Sequence, residues 1–77
     1  MDVDRAALRD ELRLVDEELA GLRRMAAELR RQVGERADAP RDAADVAATI
    51  TAAEEQEALI AVLEARREKL RQRLGEG

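Results

Sequence analysis

The chain contains no cysteine, no histidine and no aromatic residue, and it has a single proline among its 77 residues. Without cysteine there is no disulfide, no thiol nucleophile and no thiolate zinc site. Without histidine the usual imidazole ligand and general base are missing as well. Carboxylates remain for acid–base or metal chemistry. With no Phe, Tyr or Trp, apolar burial rests on Leu, Ile, Val, Met and Ala, which fill a narrow seam between helices better than a wide core. No apolar run approaches membrane-spanning length, and Met1-Asp2-Val3-Asp4 has neither the basic start nor the apolar stretch of an export signal, so a cytoplasmic protein is expected. A net charge of −4 leaves no basic surplus for phosphates, which argues against direct binding of duplex DNA.

What is present is a chain 45% hydrophobic and 42% charged, rich in Ala, Glu, Leu and Arg, the composition of long helices or coiled coils in one domain. From Leu8 the apolar positions run Leu8, Leu12, Val15, Leu19, Leu22, Ala26, Leu29 and Val33, alternating spacings of four and three. This heptad stripe predicts a helix over about 4–36, capped by Asp2 or Asp4, with Gly34 marking its fraying end. After Pro40 a second stripe reads Ile50, Ala53, Gln56, Ile60, Leu63, Arg67, Leu70 and Leu74, flanked by Val46 and Leu59. It predicts a helix over about 42–74, ended by Gly75 and Gly77, with a turn over about 37–41.

The two stripes constrain each other. In an antiparallel pair, facing residues have numbers of nearly constant sum. Leu8 with Leu74, Leu12 with Leu70, Leu19 with Leu63, Leu22 with Ile60 and Leu29 with Ala53 share one centre, at Arg41 beside the only proline. The expected fold is therefore all-α: a long antiparallel two-helix coiled-coil hairpin. The same rule sets Val15 against Arg67 and Ala26 against Gln56, two weak rungs, with the alkyl stem of Arg67 lying over the seam. An arm of about 30 residues projects roughly 45 Å, the shape of a probe or spacer. A second copy, completing a four-helix bundle, would cover Leu14, Met25 and Val62, so monomer and homodimer both stand open.

The turn puts Asp38, Asp42 and Asp45 at the end farthest from both termini. Asp42 and Asp45, three apart, share a helix face, and two such carboxylates can take part in holding a hard divalent cation such as Mg²⁺. The structural alternative is simpler: Asp42 is a good N-cap, Asp45 then complements the helix dipole, and Asp38 is an ordinary loop acid.

In that register the segment from Asp42 onward, with Asp45, Ala47 and Glu54-Glu55-Gln56, resembles the N-terminal coiled-coil domain of the Gre transcript-cleavage factors. Leu63-Glu64, Lys69-Leu70 and the opening Leu8-Arg9-Asp10-Glu11-Leu12 extend the resemblance over most of the chain. It implies a hairpin that enters the secondary channel of bacterial RNA polymerase and sets its tip acids beside the catalytic Mg²⁺. By that resemblance Asp42 and Asp45, with Asp38 as a further candidate, help hold a metal ion whose other ligands belong to the polymerase. The protein itself is then no enzyme but stimulates or inhibits cleavage intrinsic to the polymerase. Arg41, Val46 and Thr49 depart from the family pattern around those acids, which makes a modulator of the channel as good an expectation as a cleavage factor. The globular domain that follows the hairpin in that family does not follow here within the sequence.

Two other readings compete. One is a structural dimerisation or scaffolding coiled coil, in which the Arg23-Arg24, Arg30-Arg31 and Arg66-Arg67 patches are solvated faces with pairs one helical turn away, or contacts to an acidic partner. The more distant one is an all-helical chorismate mutase, which Leu8-Arg9, Asp16, Leu19, Leu22, Glu28-Leu29 and Val33-Gly34 resemble. Ala26 and Ala37 stand where that family has cations.

Overall fold

A computed structural model describes residues 2–36 and 43–75, with side chains from residue 5 onward in the first segment and up to residue 35. It is an all-α hairpin: α1 spans Asp2–Arg36, α2 spans Ala43–Arg73, and the two pack against each other with no strand among the described residues. The molecule extends 60 Å along its long axis and 16 by 14 Å across it.

Both helices follow from their apolar spacing and from abundant Ala, Leu, Glu and Arg, all strong helix formers. α1 starts at Asp2, so Asp4 lies inside its first turn. It also continues through Gly34 to Arg36. No atom outside the local helix backbone crowds Gly34, and a solvated glycine in a final turn costs too little to break a helix of 35 residues. α2 ends on Gly75, whose φ of +77° is the left-handed conformation that a glycine takes without penalty. There the Leu74 amide donates to the Leu70 carbonyl and the Gly75 amide to that of Gln72, both at 3.0 Å, satisfying carbonyls that the helix leaves open.

The seam is the core. Val15, Leu19, Ala26, Ala53, Leu70 and Leu74 are buried, and Leu8, Leu12, Leu22, Leu29, Val33, Ile50, Ile60 and Leu63 are half-buried. Val15, Leu19 and Leu70 form the central cluster, with Leu8, Leu12, Ile60 and Leu63 packed on it. In heptad letters Leu12, Leu19, Ala26 and Val33 take position a of α1, and Ala53, Ile60, Arg67 and Leu74 take a of α2. Ile50 falls at position e in this frame. Val46 and Thr49 occupy a and d at that level, half-buried beside it.

The cross-helix ion pairs show the antiparallel direction independently. Arg23 donates to Glu64 at 2.9 Å, and Arg30 makes a two-pronged contact with Glu57 at 3.0 and 2.7 Å. Arg66 bonds Glu11, and Arg67 bonds Asp16. As the number rises on one helix it falls on the other. Arg23, Arg30, Glu57 and Glu64 are all e positions and Glu11 and Arg66 are both g positions, and like letters meet in this way when helices run antiparallel.

Candidate functional site

Two parts of the rod stand out: its far end, where α2 begins, and one of its long sides. At the far end Asp45 is in the first turn of α2 and is exposed. A carboxylate there faces the positive end of the helix dipole and stabilises the helix start wherever its oxygens point. One turn on, the Thr49 hydroxyl donates to the Asp45 carbonyl at 3.1 Å. Asp38 and Asp42 lie outside the described residues. Among those described, no three Asp or Glu side chains group closely enough to hold a metal ion.

The long sides differ sharply. On the side of the e positions the rod is zipped by the Arg23–Glu64 and Arg30–Glu57 pairs, with Arg67 and Asp16 completing the row. Here the guanidinium of Arg30 holds the Glu57 carboxyl below its usual range, mainly through the hydrogen bond itself. The same contact raises Arg30. On the outer face of α1, Arg31 lies between Glu28 and Glu35, and its hydrogen bond, followed by one from Gln32, lowers Glu28. Every one of these groups is solvent-facing, so the pairs fix register and solubility more than they add stability.

On the opposite side, that of the c and g positions, Glu11 and Arg66 are the one pair across the seam among the described residues. Beyond them the exposed large apolar residues follow: Leu14 (51% exposed), Met25 (52%), Leu59 (51%) and Val62 (66%). All four fall at c or g, and in an antiparallel pair the c and g positions of both helices share one side. A shallow apolar groove between Glu18, Leu22, Leu59, Val62 and Leu63 runs along it, and a second, between Asp10, Glu11, Leu14 and Arg66, continues it toward the termini.

Sequence reasoning did not anticipate the cross-helix pairing. Of the arginine patches read as one-turn pairs or contacts to an acidic partner, Arg31 does pair one turn away with Glu28 and Glu35, whereas the Arg23, Arg30, Arg66 and Arg67 guanidinium groups reach across to the other helix. The signal was available, because the constant-sum register already sets the two rows of e positions side by side. Arg67 lies half-buried at its a position with its head on Asp16. Gln56, the other weak rung, buries its Oε1 with no hydrogen-bond partner among the described residues. Arg9, in the helix that resembles chorismate mutase, lines an open groove with Arg13 and Asp16 on α1 alone.

Comparison with protein-family models, curated proteins and solved structures finds no match to this chain. No described helix is long and apolar enough to cross a membrane.

Proposed function

We propose that this hairpin is a transcription regulator that enters the secondary channel of bacterial RNA polymerase end-on, bringing its tip carboxylates near the catalytic metal and modulating elongation or transcript cleavage. The observation that carries the reading is the position of Asp45: exposed, in the first turn of α2, at the far end of a rod 60 Å long and at most 16 Å across its Cα atoms. The resemblance of the tip and second helix supplies the partner. In this reading the chain works in the cytoplasm and has no catalytic centre of its own. Asp45 and Asp42, with Asp38 nearby in sequence, contribute oxygens to a Mg²⁺ whose remaining ligands are the polymerase's.

Capping and function separate cleanly by magnitude. Losing a carboxylate from a helix's first turn costs about 0.5 kcal/mol, which leaves the fold intact. Removing an oxygen ligand from a reacting metal site changes rates by about 100-fold. Asp45→Ala and Asp42→Ala are therefore expected to keep helicity and polymerase binding while abolishing the effect on cleavage of backtracked complexes. No binding of the chain to core polymerase would sink the proposal. Binding with an unchanged effect in both variants would remove the acids from it.

A second reading, a scaffolding coiled coil, is favoured by the one-sided placement of Leu14, Met25, Leu59 and Val62, which end-on insertion does not use.

A further inference from the structure

We infer that the c/g side of the rod is a self-association surface, on which a second copy of the chain lies side by side and pointing the same way, with α1 of each copy on α2 of the other. Area, apolar content and charge agree on this occupant. A face 60 Å long and 16 Å wide offers on the order of 900 Å², close to the ~800 Å² per partner of a standard dimer interface. Four large apolar side chains stand exposed along it, Leu59 and Val62 in one groove, Leu14 in the next and Met25 beside them in the heptad frame. Among the described residues six hydrophobic ones are buried in the single hairpin, and a four-helix bundle is the way such a narrow seam gains a core.

Charge selects the partner and its direction. On this side α1 carries acids, Glu11, Glu18 and Glu28, whereas the half of α2 near the termini carries Arg66 and Lys69; Glu11 and Arg66 already pair within the chain, so contacts to a second copy extend that pair. With both copies pointing the same way, the register of the hairpin sets Glu11 level with Lys69 of the second copy and Glu18 level with its Arg66. Gly21 then faces Val62 of the second copy, a small residue against a large one, and Met25 faces Leu59. A two-fold axis along the rods makes each contact occur twice. Two mismatches remain, since Leu14 comes level with Lys69 of the second copy, whose alkyl stem alone can cover it, and Glu28 comes level with Glu55. If the copies ran in opposite directions, Glu55 would meet Lys69 instead, so Glu55 reports the orientation.

The pairing uses no polymerase and is measured without it, so its failure leaves the end-on reading standing, and the reverse also holds. Sedimentation equilibrium of the full chain is expected to show a dimer at roughly 10 μM. Val62→Glu, at a residue 66% exposed and outside the seam, is expected to raise the dissociation constant about 10- to 100-fold with the helical circular dichroism unchanged. Met25→Glu on the other helix should do the same, which guards against a local effect of either change. Glu55→Lys should tighten the dimer about threefold by turning the mismatch into an attraction. A monomeric wild-type chain, a dimer indifferent to both Val62→Glu and Met25→Glu, or a dimer weakened by Glu55→Lys would each overturn the proposal.

Discussion

At the scale of single residues, the seam carries one polar atom that works against stability. Gln56 Oε1 is buried opposite Ala26 with no hydrogen-bond partner among the described residues, so it loses water and gains no bond from them in return. Gln56→Leu removes that cost and adds apolar area to a narrow stretch, and is expected to stabilise the hairpin by about 1–2 kcal/mol in a urea titration. A drop in stability would mean that the amide is satisfied in solution. The Arg30–Glu57 contact makes a different prediction, about pH. Glu57 titrates below its ordinary 4.5 when folded, chiefly through the hydrogen bond from Arg30. A depressed carboxyl contributes stability that is fully present above the unfolded-state value and is lost as pH falls through the lower folded one. The melting temperature should therefore be level above pH 4.5 and decline below it, and Glu57→Gln should flatten part of that decline. Glu28, lowered by Arg31 and Gln32, adds to the same acid limb.

At the scale of the helices, position in the heptad decides what a leucine is worth. Leu19 is 1% exposed at the centre of the seam, and Leu14, five residues away on the same helix, is 51% exposed. Leu19→Ala is expected to cost about 3 kcal/mol, which for so small a seam means broad loss of helicity. Leu14→Ala should change hairpin stability by less than about 0.5 kcal/mol. Equal effects of the two in thermal melts monitored by circular dichroism would contradict the register. That register was legible in the sequence because apolar spacing is a local signal, and two stripes sharing a centre at Arg41 leave little freedom in their pairing. The end of α1 was legible as well: Gly34 marks the last turn, and the helix stops at Arg36, the bound that the stripe predicts. The polar contacts were less legible. Arg23 and Arg30 have acids both within and across the helices, and sequence alone does not rank a pair one turn away against a pair across the seam. Asp45 was legible as a first-turn acid, since a run of Asp and Ala after a proline is a strong helix start.

At the scale of the whole molecule, end-on insertion and side-by-side pairing would use different parts of the rod. The first would put the end at Asp45 into a channel, and the second would set the c/g side against another rod. A single hairpin is slender enough for the first role, and pairing along the side doubles its thickness, so the two roles would alternate rather than coincide. The central claim concerns the end. These 77 residues contain no cysteine, so Asp45→Cys provides one attachment point for an iron chelate that releases hydroxyl radicals within a short distance. With core RNA polymerase, the label at residue 45 is expected to cut the polymerase backbone around its catalytic metal site, whereas the same label on Gln72→Cys, at the other end of the rod, should not. Cutting near the active centre from residue 72, or none from residue 45 when the chain is bound, would contradict the end-on account.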